Sequence, residues 1–139
     1  YTWAGPEIAV ATTKGYTTQL IVMYLFAIYA AKKLEKISAS EYKELIEELK
    51  SLPKRIQQVL DMNPSIPELA KKYHSSDSMF FIGRNTDYAV ALEAALKMKE
   101  ISYIHAESYA AGELKHGPIA LIENGIVTKN IIAAASHQL

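Results

Sequence analysis

The stretch Ser78 to Ile104, SMFFIGRNTDYAVALEAALKMKEISYI, decides the fold. It opens on Ser78-Met-Phe-Phe-Ile82, a compact apolar run closed by Gly83, which predicts a short strand. From Asp87 to Ile104 the composition turns to Ala, Leu, Met, Glu and Lys, all strong helix formers, and predicts a long helix. Strand, glycine turn and helix in that order open an α/β unit. The polar stretch His105 to Pro118, broken by Gly112, Gly117 and Pro118, predicts an irregular loop with one short helical turn from Ala110 to Lys115. In the tail, two short apolar runs flank Glu123-Asn124-Gly125, compatible with a hairpin or with two separate edges.

Upstream, Gly5 and Pro6 begin a loop that leads into a helix starting at Thr12 or Thr13, either of which can cap its free N–H groups. This helix should run to Leu34, with Lys32 and Lys33 suited to the negative end of its dipole. Its middle, Leu20 to Ala31, is apolar on every side, which predicts a position between layers or at an interface. Twelve helical residues would span only about 18 Å, too short for a bilayer core. Ser38-x-x-Glu41 matches a capping box, and Leu45, Leu49, Leu52, Ile56 and Val59 mark one face of the helix that follows. Pro53 inside that pattern predicts a kink or a restart capped by Ser51. A third, short helix is signalled by Ser65-x-x-Glu68 with Pro67 in its first turn, and the connector Asp61 to Ser65 divides the chain best.

The chain has 139 residues, room for one medium domain or for parts of two. Fifteen Lys+Arg balance fifteen Asp+Glu, so no net field draws the chain to a nucleic-acid backbone or an anionic membrane. The absence of cysteine excludes disulfides, thiolate metal sites and a thiol nucleophile within these residues. Tyr1 to Ile8 has neither initiator Met nor signal-peptide core, as expected of the interior of a longer protein.

Helical spacing places Glu93, Lys97 and Glu100 on one side of the predicted long helix. An exposed ion-pair stripe, worth about 0.3–0.5 kcal/mol per pair, explains that spacing. So does a carboxylate base at Glu100 beside a Lys97 cation facing a developing oxyanion, a pair able to move a proton next to a carbonyl. His105 and His116 follow with Glu107 and Glu113, but their spacing matches no zinc-binding pattern. Val10, Ala11 and Thr12 precede a helix N-terminus and offer backbone groups and a hydroxyl to a ligand, or Thr12 is a plain cap. Gly83-Arg84-Asn85 is neither a phosphate loop nor a dinucleotide fingerprint, and Arg84 reads as structural or interfacial.

AGPEIAVATTKGYTTQL, Ala4 to Leu20, and LEAALKMKEISYIHAESYAAGELKHGPIALI, Leu92 to Ile122, closely resemble a known family. It is the isomerase portion of the glutamine-dependent glucosamine-6-phosphate synthases, or glutamine:fructose-6-phosphate aminotransferases, built from sugar isomerase (SIS) domains. The resemblance covers residues 1 to 127 and is most specific over KEISYIHAESYAAGELKHGP. It implies an α/β fold, a parallel doubly wound SIS-type sheet flanked by helices, present as parts of two tandem domains. Residues 1–60 would close the first domain, 61–77 connect with a short helix, and 78–139 open an incomplete second. The family takes ammonia released by a glutaminase domain, condenses it with fructose 6-phosphate and isomerises the imine to glucosamine 6-phosphate. A cytoplasmic homodimer is implied, with no metal or organic cofactor and no nucleic-acid or membrane partner.

Residue by residue, the resemblance makes Glu100 the base that moves the proton between C1 and C2, with Lys97 its partner. It makes His116 the ring-opening histidine, reaching the neighbouring subunit's site, and Val10, Ala11 and Thr12 the turn that contacts the sugar. Members often carry Ser at the position of Thr12 and Ala at that of Gly15, the latter change costing about 1 kcal/mol of helix propensity. The family's phosphate-binding loops precede residue 1, its lysine-bearing C-terminal tail and cysteine glutaminase are missing, and TKNIIAAASHQL departs from the strand expected there. A non-catalytic sugar-phosphate-binding SIS module and a truncated structural fragment without activity are the alternatives.

Overall fold

The computed structural model describes residues 1–122 and 127–130. The chain forms two compact units, Tyr1–Leu69 and Ala70–Leu139.

In the first unit, helix α1 (Thr13–Lys33) and helix α2 (Ala39–Asp61) are joined by a tight turn. The capping role expected of Thr12 or Thr13 falls to another residue. The Thr12 hydroxyl donates to the Val10 carbonyl at 3.0 Å, and Glu7 Oε1 accepts from the Gly15 N–H at 2.9 Å. The reason is backbone conformation: Thr12 sits in the left-handed region, φ 48° and ψ 44°, rather than the extended geometry of a side-chain cap. At the other end Glu35 is left-handed as well, and Lys36 N–H donates to Ala31 O at 2.8 Å while Glu35 N–H donates to Lys32 O at 3.2 Å. This Schellman closure satisfies the last carbonyls and turns the chain toward α2.

The predicted capping box opens α2. Glu41 N–H donates to Ser38 Oγ at 3.2 Å and Ser38 N–H to Glu41 Oε2 at 2.7 Å, and hydrogen bonding of the Glu41 carboxyl to the Ser38 side chain first, and then to the Ser38 backbone, holds it below its usual pKa. Pro53 does not produce a restart: α2 runs through it, and the Ser51 hydroxyl back-bonds to Glu48 O at 2.7 Å instead of capping. Tyr24 and Ile28 of α1 and Leu45, Leu49 and Leu52 of α2 line one shallow apolar groove. Of the two positions expected for Leu20 to Ala31 of α1, the one between layers is not found among the described residues. Only Ile28 of that helix is buried, because a single neighbouring helix covers one line of its surface.

A 3-10 turn (Asn63–Ser65) leads into helix α3 (Ile66–Tyr73). The second unit then builds strand β1 (Ser78–Gly83), helix α4 (Thr86–Ser102), strand β2 (His105–Ala110), two 3-10 turns (Leu114–His116 and Pro118–Leu121) and strand β3 (Val127–Asn130). The sheet order is β2-β1-β3, all parallel, with Ser78 opposite His105 and Met79 opposite Val127. This is the α/β fold that the sequence predicts. β1 is central, and Met79 to Gly83 are buried on both faces, as expected of a parallel strand lined by neighbours. Met79 and Phe81 pack with Ala91 and Ala95 of α4 and Ala106 of β2, while Ala94, Met98 and Ile104 close the edges. The small alanines allow the helix close to the sheet, and Phe80 meets Tyr109 edge-on with ring centroids 5.3 Å apart.

Three expectations are corrected here. His105–Ala110 is strand, not loop, because its backbone pairs with β1 over the whole length and Ala106 enters the core, although His, Ala and Glu have weak β-preference. The turn expected over Ala110 to Lys115 lies at Leu114–His116. Pro118–Leu121 is a 3-10 turn and Val127–Asn130 a strand parallel to β1, which excludes the hairpin; the rest of the divergent tail, 131–139, lies outside the described residues. The break at Glu123-Asn124-Gly125 lies outside the described residues. The α4 helix stops at Ser102 because Tyr103 turns left-handed, φ 60°, freeing Ile104 to reach the core.

Candidate active site

The helical spacing of Glu93, Lys97 and Glu100 becomes contact on α4. Lys97 Nζ donates to Glu100 Oε2 at 2.8 Å and lies 3.3 Å from Glu93 Oε1. All three side chains are partly covered, with 21–27% of their surface exposed. The Lys97 ammonium is held above the usual lysine pKa, first by its hydrogen bond to Glu100, with partial desolvation opposing and Glu93 adding to the rise. The lysine is therefore a fixed cation between two carboxylates. Glu100 keeps a second oxygen with which to accept a proton, beside a positive charge able to stabilise an oxyanion.

Strand β2 carries a second polar row on alternate positions. Tyr109 donates its hydroxyl proton to Glu107, and His105 Nε2 lies 3.5 Å from Glu107 Oε1. The bond to Glu107 raises the Tyr109 pKa, with desolvation second, so the phenol is a donor at neutral pH. This row is hidden while the segment reads as loop; the period-two spacing of His105, Glu107 and Tyr109 is its signal. His116 ends the 3-10 turn Leu114–His116, exposed, its N–H donating to Glu113 O at 3.0 Å. Among the described residues, no hydrogen bond or ion pair joins it to Lys97 or Glu100, and no three His, Asp or Glu side chains are grouped as metal ligands.

At the carboxyl ends of β1 and β2 the backbone opens into a cleft of about 250 Å³ lined by Gly83, Arg84, Asn85, Ala110, Ala111 and Gly112. Ligands of open α/β sheets bind at this end. Gly83 is required there, since a Cβ would lie 2.4–2.5 Å from the Asp87 and Tyr88 backbone at the start of α4.

In the first unit, Val10, Ala11 and Thr12 form the turn before α1. Val10 is exposed and Ala11 is 4% exposed. Thr12 N–H reaches Ala9 O at 3.4 Å, and Thr12 O accepts from Tyr16 N–H at 3.2 Å. The hydroxyl of Thr12 is exposed and retains lone pairs for a ligand while donating to Val10.

A parallel sheet with a helix crossover and a cleft at its carboxyl end defines an open α/β domain. Residues 72–128 match the SIS domain. The chain is similar to part of the isomerizing glutamine–fructose-6-phosphate aminotransferases. It is 57% identical over 127 residues to the isomerizing glutamine–fructose-6-phosphate aminotransferase of Clostridium tetani, covering 91% of this chain and 21% of the relative. The enzyme of that name from Caldanaerobacter subterraneus is 54% identical over 137 residues, 99% of this chain and 22% of the relative, so the match extends past Val127. The chain thus spans about a fifth of the length of these relatives. Among solved structures it matches the C-terminal domain of glucosamine-fructose-6-phosphate aminotransferase from Francisella tularensis. That match has a TM-score of 0.93 and 36% identity, over 96% of this chain and 38% of the other. A phosphosugar isomerase structure from Clostridium difficile aligns with a TM-score of 0.85 and 26% identity, over 97% of this chain and 39% of the other.

Proposed function

We propose that this chain is a segment of the isomerase portion of a glutamine–fructose-6-phosphate aminotransferase, with residues 1–60 closing one SIS domain, 61–77 connecting and 78–139 opening the next. Ammonia adds to the C2 ketone of fructose 6-phosphate and water leaves, giving an imine. Glu100 removes a proton from C1 as the imine nitrogen takes one up, giving the enolamine; the proton held by Glu100 then returns to C2 while the C1 hydroxyl releases its own, balancing the one taken up by nitrogen, and becomes the aldehyde of glucosamine 6-phosphate. Lys97 stabilises the negative charge that gathers on oxygen during this transfer. Val10, Ala11 and Thr12 hold the sugar, and His116 opens its ring from a neighbouring copy in a homodimer. A glutaminase domain of the intact protein supplies the ammonia, and the protein works in the cytoplasm.

The observation that carries this reading is the 2.8 Å bond from Lys97 to Glu100 on a helix where both side chains are partly shielded from water. The similarity to isomerizing glutamine–fructose-6-phosphate aminotransferases supports the substrate. The test is Glu100→Gln in the intact enzyme. Loss of general-base action lowers the rate of glucosamine 6-phosphate formation by a factor of about 10²–10⁴, with an unchanged circular dichroism spectrum and intact glutamine hydrolysis. Turnover within threefold of wild type would remove Glu100 from the base role.

A further inference from the structure

The glycine at the start of α1 is shaped around the threonine that precedes the helix. Thr12 is β-branched and left-handed, a backbone state that bulky residues rarely adopt. Its side chain is fixed by the hydroxyl, which donates to Val10 O at 3.0 Å. In a threonine the hydroxyl and γ-methyl share one staggered carbon, so anchoring the oxygen also fixes the methyl. That methyl points at Gly15: a Cβ added there would lie 2.9 Å from Thr12 Cγ2, closer than carbon atoms pack. The crowding cannot be relieved by a floppy chain end. Moving the methyl turns the hydroxyl away from Val10 or shifts the turn itself.

Gly15 is also tied from the other side. Its N–H donates to Glu7 Oε1 at 2.9 Å, and Lys14, whose ammonium donates to Pro6 O at 2.7 Å, lies 4.0 Å from Glu7 Oε2. The segment 6–7 is thereby strapped to the first turn of α1, so backbone movement at Gly15 would be resisted there. A bare α-carbon at 15 is what lets the strained turn and its hydroxyl coexist with the helix.

We propose that Gly15 is a positioning residue for the sugar-binding turn, holding the Thr12 hydroxyl in place by leaving room for its methyl. This rests on the reading of Val10–Thr12 as a sugar contact. The test is a set of variants in the intact enzyme, Gly15→Ala, Thr12→Ser, both together, and Thr12→Val, assayed for KM and kcat with fructose 6-phosphate. Gly15→Ala is expected to raise KM at least fivefold with kcat within twofold. Made in the Thr12→Ser background, where the methyl is gone and the hydroxyl kept, the same change should raise KM by less than twofold. Equal effects in both backgrounds would overturn the proposal, as would an unchanged KM for Gly15→Ala. Should Gly15→Ala fail to fold, recovery of the soluble enzyme by adding Thr12→Ser supports the same contact, and failure to recover it overturns it. A KM unmoved by Thr12→Val would bring down the sugar-contact reading itself, whereas a KM raised by Thr12→Val and unmoved by Gly15→Ala would overturn only the role of Gly15.

Discussion

Helices α1 and α4 are both rich in apolar residues, and they bury them differently. On α4, Ala91 and Ala95 are 0% and 3% exposed against β1 and β2, and Met79 through Ile82 of β1 are at most 8% exposed. On α1, Met23, Phe26 and Tyr29 are each more than 60% exposed, and Ile28 alone is buried. The difference is one of layers. A helix laid across two paired strands covers a surface and is covered by it, whereas two helices side by side touch along a single line. Hydrophobic content sets how much could be buried; the number of elements packed around it sets how much is.

That contrast can be broken experimentally. Phe81→Ala should cost the sheet unit about 3–5 kcal/mol, because it removes a ring from the packed face, whereas Leu25→Ala on exposed α1 should stay within about 0.5 kcal/mol. Chemical denaturation of the two variants measures both, and similar losses would erase the distinction. Gly83→Ala should cost about 1–3 kcal/mol by forcing β1 and α4 apart, read as a lower midpoint in the same experiment. A smaller effect is expected in the first unit, where Ser38→Ala removes one half of the capping box and costs about 1 kcal/mol. Amide exchange within α2 should then quicken near Glu41 and stay unchanged along β1.

The pH dependence sharpens the comparison further. Lys97 has a raised pKa in the folded state, so its stabilising contribution is fully present below the usual lysine value of 10.5 and is lost as pH rises through the higher folded value. Thermal melts of wild type and Lys97→Met should therefore differ by a constant amount through neutral pH and converge only under alkaline conditions. Convergence near pH 7 would mean that Lys97 is not held as a cation by its carboxylates.

Much of both regions was legible in advance, and the reasons differ. The capping box at Ser38 and Glu41, strand β1 and the Glu93-Lys97-Glu100 cluster depend on neighbours within a few residues, so spacing alone exposes them. The strand at His105–Ala110 was not legible, since its polar composition argues for loop and only pairing with β1 makes it strand. Thr12 and Gly15 were two unrelated departures from a family pattern when read along the chain; in the structure they are one contact. The Glu7 cap was hidden by the seven residues between it and Gly15.

By itself the sequence determined where helices start, which helix face is apolar, that an α/β unit opens at Ser78, and which charges share a helical side. These follow from local backbone preference and from periods of two and 3.6 residues. Tertiary structure alone decided that β2 and β3 flank β1, that Gly83 must lack a side chain, and that the methyl of Thr12 fills the space above Gly15. Those outcomes depend on which atoms meet across elements, and close packing resolves that in tenths of an ångström.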